Sequence, residues 1–195
     1  MFLCEMLGMG IIMSEKMIIK YCAPTLAGIK TGNLFNCSYS CEEQLQNQIH
    51  EFNKKLNQKG VFLTLLRKNE GKALVYVYRK NKLESDISNH EVKEFLGNNG
   101  YVFDSVYSFI SELSSRLCKS NDFPHEIGLI LGYPLPDVKA FIENRGKNCK
   151  VIGCWKVYSD EGEANKIFAK YKKCTDIYCK KHSEGLSIMR LTIAV

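Results

Sequence analysis

The sequence predicts an α+β domain, a sheet of about four strands, at least partly antiparallel, covered by several helices. Three segments predict it. "SCEEQLQNQIHEFNKKLNQKG" (40–60) places Leu45, Ile49, Phe52 and Leu56 on one helical stripe. Ser40 and Glu43 have the spacing of a capping box, and Gly60 marks the end. "VFLTLLRKNEGKALVYVYRK" (61–80) is two β-rich runs around "KNEG", the pattern of a hairpin. In its second run Leu74, Tyr76 and Tyr78 alternate with Val75 and Val77, so both faces of that strand are expected to be covered. From Ser105 onward, Val106, Ile110, Leu113 and Leu117 give a third amphipathic pattern, again helical.

The remaining elements follow in order. "SNHEVKEFL" (88–96) reads as a helix stopped by Asn98, Asn99 and Gly100. "EIGLILGYPLPDVKAF" (126–141) has the spacing of a helix-turn-helix corner. Gly128 is the small residue of the first helix, Leu131 packs, and Gly132 makes the turn. Val138 and Phe141 face inward from the second helix, and Pro136 suits its first turn. "CKVIGCWKVY" (149–158) reads as a strand. "DEGEANKIFAKYKKCTDIYC" (160–179) reads as a helix with Ala164, Ile167, Phe168, Tyr171 and Cys174 on one face. The closing "GLSIMRLTIAV" (185–195) reads as another strand.

The chain of 195 residues is long enough for one domain with a full core, expected over 14–195. Residues 1–13 read as a non-native or disordered N-terminal extension. Methionines recur at 6, 9, 13 and 17, the only charge is Glu5, and the apolar run is too short to span a bilayer. The net charge of +6 permits an acidic partner without requiring one. Nine cysteines would suggest a disulfide framework in a secreted chain. The number is odd and no export signal is evident, so a reduced, cytoplasmic protein with no transmembrane segment is expected.

Several residues carry chemistry that the fold alone does not demand. His125 and Glu126 follow Pro124 at the mouth of the corner, where a helix N-terminus favours the carboxylate and a neutral imidazole. Cys22 stands before a proline in the small-residue segment "YCAPTLAGIKTGN", and Lys30 would lower its pKa if close in space. Trp155 is the only tryptophan, and Cys174 lies on the face of the last long helix. No C-x-x-C, phosphate-binding loop, G-x-S-x-G elbow or dinucleotide fingerprint is present. The outward residues of the second corner helix are expected to be Asp137, Lys139, Glu143, Asn144 and Arg145. Two acids among five make a poor reader of a phosphate-lined groove.

The segments "KYCAPTLAGIKTGNLF", "PHEIGLILGYPLPDVKAFIEN", "GCWKVYSDEGEANKIFAKYKKCT" and "GLSIMRLTIAV" resemble a family of uncharacterised proteins found mainly in anaerobic Clostridia-type bacteria. The resemblance covers the chain from about Ile18 apart from the 40–118 middle. It implies that Cys22, Pro24, Lys30, His125, Glu126, Gly128, Gly132, Trp155, Lys156 and Cys174 lie on the family's motif segments. Three expectations follow. The first is a binding or accessory protein of anaerobic metabolism with a redox or metal-related role. Its site would be Cys22, Lys30, His125, Glu126, Trp155 and Cys174, with a metal ion held by Cys22, His125 and Cys174, and its partner a redox protein or a small ligand. The second is a nucleic-acid-binding regulator using segment 124–145, with Lys139, Asn144 and Arg145 as contacts. The third is an enzyme with Cys22 as nucleophile and His125 as base.

Overall fold

The computed structural model describes residues 13–119 and 123–194. The N-terminal stretch 1–12 lies outside the described residues. Met13, the last residue of the expected extension, is only 2% exposed and packs into the core.

Three antiparallel strands form the centre: β1 (Gly32–Ser38), β2 (Val61–Asn69) and β3 (Lys72–Arg79), in the order β1-β3-β2. The β2–β3 hairpin turns at Glu70 and Gly71, both with positive φ (40° and 75°), as a two-residue turn matched to strand twist requires. The alternation read from β3 holds in space. Leu74, Tyr76 and Tyr78 enter one hydrophobic cluster, while Ala73, Val75 and Val77 enter another on the opposite face.

Helices cover both faces. The Tyr76 face is packed by α3 (Lys80–Ser88), α4 (His90–Asn98), α5 (Val106–Lys119), α6 (Ile127–Ile130) and α7 (Leu135–Glu143). The Val75 face is packed by α1 (Glu15–Leu26), α2 (Glu42–Leu56), part of α8 (Glu161–Ser183) and α9 (Ile188–Leu191). A two-stranded ribbon, β4 (Val151–Ile152) with β5 (Lys156–Val157), stands apart from the main sheet. It makes a third small cluster with Trp155, Val157 and Ala164, joined by Tyr133, Phe168 and Tyr171. No described helix is long and apolar enough to cross a membrane.

Several sequence expectations change. The α+β class and the antiparallel pairing hold, and the expected sheet of about four strands is a three-stranded sheet plus the separate ribbon. "CKVIGCWKVY" folds back on itself because Gly153 and Cys154 turn the chain between β4 and β5. The closing segment is the short α9 followed by an extended tail. Strand β1 supplies the sheet edge instead, from a segment whose glycines masked its β character. Cys22 and Pro24 lie inside α1, where the proline falls in the last turn, and the chain turns after it at Gly28 (φ 72°). Cys41 rather than Ser40 caps α2, with no side-chain bond.

Arg79 joins these parts. It is 2% exposed and has no carboxylate partner among the described residues. Its guanidinium donates to the carbonyls of Thr25 (2.7 Å), Leu26, Lys59 (3.0 Å) and Ile193 (2.8 Å). The first two are carbonyls of the last turn of α1, each also accepting one backbone amide (Gly28 and Ile193), where a cation is favoured by the helix dipole. The third belongs to the turn into β2 and the fourth to the C-terminal tail. Replacing Arg79 with Met leaves the Lys59 and Ile193 carbonyls without a donor and removes one of the two donors to each of Thr25 and Leu26. Denaturant unfolding of Arg79→Met is expected to show a loss of about 3 kcal/mol or more. Arg79→Lys should recover only part, because an ammonium lacks the planar fork.

Candidate functional site

The corner is tighter than a DNA-binding helix-turn-helix. Helix α6 has only four residues. Gly132 turns the chain with φ 72° and lies against Thr31, so a side chain there would be strained and crowded. A Cβ on Gly128 would stand 2.9 Å from Val138 and 3.1 Å from the Tyr133 ring, which is why that position is glycine. Pro136 sits in the first turn of α7 as expected.

Asp137 is the correction that reveals the site. The sequence places it on the outer face of α7, but it is 2% exposed. Its Oδ2 accepts from Trp155 Nε1 at 2.7 Å, and its Oδ1 accepts from the backbone amides of Tyr158 (2.9 Å) and Ser159 (2.8 Å). Burial alone would raise its pKa. The donors outweigh burial and hold the carboxyl below its ordinary value. This one carboxylate fastens the ribbon onto the corner.

Between corner and ribbon lies a cleft of about 310 Å³. Its walls are largely apolar: Val138 and Phe141 of α7, Tyr133 of the turn, and Ile152 and Trp155 of the ribbon. The Trp155 ring stacks on Tyr133 (centroids 5.0 Å) and meets Phe168 edge-on (4.6 Å). Gly153 passes so close to Phe168 that a Cβ would overlap that ring, fixing the ribbon over α8. His125 lies at the mouth, edge-on to Phe141 at 5.0 Å. Lys156 donates to the Gly146 carbonyl at 2.7 Å and passes over Phe141 at 5.7 Å.

The structure divides the expected site residues. His125 and Trp155 both line the cleft. Glu126 turns away and accepts from the Tyr101 hydroxyl at 2.8 Å. Lys30, 6% exposed, sits behind the cleft wall, 5.3 Å from the Tyr133 ring centroid and 5.7 Å from Tyr171. Burial lowers its pKa to about 8, against the opposing influence of the Cys154 and Cys22 thiols. Cys22 is fully buried on the Val75 face, and His125 leads into α6 on the Tyr76 face, so the sheet layer separates them. Burial pushes the Cys22 thiol well up despite Lys30, which disfavours a thiolate. Cys174 is half-buried on α8, and burial raises its pKa too. Among the described residues no three His, Cys, Asp or Glu side chains gather as a metal site would need.

The residues named for a nucleic-acid interface are scattered or occupied. Lys139 lies over the Phe95 ring at 5.6 Å. The Asn144 amide donates to Ala140 within its own helix, and Arg145 stands beyond the helix end with φ 50°. The residues that sequence reasoning missed are Tyr133, Phe141, Ile152 and the inward turn of Asp137. The signal for Asp137 was its place in the first turn of α7, ahead of a lone tryptophan whose N–H needs an acceptor when buried.

Two outcomes are expected. The stability contributed by Asp137 is fully present above the ordinary carboxylate pKa of about 4 and drains away as pH falls toward its lower native value. Asp137→Asn keeps the shape, presents a donor to donors, and should lose about 2–3 kcal/mol at neutral pH in denaturant titrations. Lys30 costs stability at neutral pH where Asp137 contributes it. Its charge is disfavoured in the native state, so native stability should rise with pH between about 8 and 10.5. Lys30→Met should stabilise the protein at neutral pH by roughly 1–3 kcal/mol and abolish that rise.

Comparison with curated proteins returned no match, and comparison with solved structures returned none. The family model of the proteins of unknown function DUF3793 matches residues 18–192, a span that takes in the sheet, the corner, the ribbon and α8. The chain belongs to the DUF3793 family.

Proposed function

We propose that the protein binds a small ligand in the cleft between the corner and the ribbon. The carrying observation is the cleft itself: a concave, largely apolar space walled by Tyr133, Phe141 and Trp155, with His125 and Lys156 as polar groups at its edge. Apolar walls with a few convergent polar groups are the usual anatomy of a small-molecule site, and this one lies at the small end of the usual size range. Rim residues Ile152 and Phe123 remain exposed (72% and 37%), apolar surface that a ligand would cover.

This reading keeps the expectation of a binding or accessory protein and moves its centre. The thiols leave the foreground because Cys22 is enclosed in the core and held protonated. Trp155, Lys156 and His125 take their place.

Trp155 is the only tryptophan, so its fluorescence reports the cleft alone. N-phenyl-1-naphthylamine, a flat neutral probe, is expected to bind saturably and to take up excitation energy from Trp155. Ile152→Glu places a charge on the exposed rim and should abolish that binding with little change in thermal midpoint. Saturable probe binding that leaves Trp155 emission untouched and survives Ile152→Glu would place the ligand elsewhere and sink the proposal.

A further inference from the structure

The reading of the cleft as a ligand site can be taken further, to the charge of what enters it; this inference rests on that reading. Besides the Tyr133 phenol, three ionisable side chains line the cleft: His125, Asp137 and Lys156. Asp137 is already surrounded by three donors, from Trp155, Tyr158 and Ser159. A ligand donor or cation would have to compete for a carboxylate that is built into the frame. Lys156 is differently placed. Its ammonium carries three N–H groups and makes one hydrogen bond, to the Gly146 carbonyl. Among the described residues no carboxylate lies within ion-pair distance of it. His125 is exposed at the mouth, with its ring against Phe141.

A second uncompensated cation lies behind the wall. Lys30 faces the Tyr133 ring, and Tyr133 stacks on Trp155 in the cleft. Lys30 likewise has no carboxylate within ion-pair distance among the described residues. Asp86, one of two acids on α3, is hydrogen-bonded to Thr31. Among the described residues two lysines without counter-ions therefore flank the aromatic walls, and the one acid that lines the cleft, Asp137, is spent on the ribbon. Inside a low-dielectric wall such charges are screened weakly and favour an anion between them.

We infer that the cleft selects a flat aromatic acid, with its ring between Trp155 and Phe141 and its anionic group toward Lys156. Aromatic walls supply area and stacking. Lys156 supplies a charge-assisted hydrogen bond from N–H groups that the protein leaves open.

The test compares two probes of similar shape and different charge on the intact chain. 8-Anilinonaphthalene-1-sulfonate is the aromatic anion, and N-phenyl-1-naphthylamine its neutral counterpart. Binding is read by energy transfer from Trp155. The anion is expected to bind at least fivefold tighter, with a preference that shrinks as salt rises. Lys156→Gln should bring the ratio of the two affinities to near one, and Lys156→Arg should restore the preference. Equal affinity of the two probes in the native protein, or a preference that Lys156→Gln leaves intact, overturns the aromatic-acid assignment. Retained neutral-probe binding that is lost in Ile152→Glu shows in the same experiment that the cleft reading itself stands. Loss of both probes in the native protein brings down both.

Discussion

The Asp137 carboxylate carries the part of the structure on which the site depends. Ribbon β4–β5 has two residues per strand, too few to hold a place on its own. It stays on the corner because three N–H groups from its end converge on one buried acid. Those same bonds set the plane of Trp155, and the Trp155 ring sets the position of Tyr133 across a 5.0 Å stack. The cleft is what remains between α7 and a ribbon held at that distance. A buried, hydrogen-bonded carboxylate is a costly way to fasten two elements, since either a lost donor or a lost charge leaves the rest stranded. That cost makes the geometry specific.

The larger frame is organised by a second buried charge of opposite sign. Arg79 ends β3 and gathers the last carbonyls of α1, the turn into β2 and the C-terminal tail. This fixes the α1–β1 connection, which carries Lys30, on the end of β3. The two buried charges divide the work: Arg79 holds the segment that carries Lys30, and Asp137 locates the wall that Trp155 forms. Helix α8 closes the arrangement through Phe168 and Tyr171.

Much of the frame was legible in the sequence because it is periodic. The stripes of α2 and α5 and the two-sided alternation of β3 follow from local spacing, and each buries the residues it should, apart from Phe52 of α2, which is half-buried. Strand β1 was hidden because "GNLFNCS" is short and glycine-led, although Gly32 is there for room: a Cβ would collide with Tyr76 and the Ile130 carbonyl. The closing segment has β-like composition, yet its partner is the end of α1 rather than a strand, through Ile193 to Leu26. The site was legible in part. His125 and Trp155 were singled out for being unusual, and both line the cleft. Cys22 was singled out for its neighbours in sequence, but its helix faces the core, a fact set by packing rather than by local pattern. Asp137 looked like an outward acid because a helical wheel cannot show that another element covers that face.

A single measurement reaches this account most directly: collisional quenching of Trp155 fluorescence by acrylamide in the native protein and in Asp137→Asn. A ribbon held by Asp137 predicts weak quenching in the native protein, since Trp155 is 8% exposed with its N–H bonded. It predicts several-fold stronger quenching in the variant at unchanged far-ultraviolet circular dichroism, as the ribbon lifts from a corner that stays folded. Equal quenching in the two proteins would mean that the ribbon and its cleft are held by something other than this carboxylate, and would contradict the account.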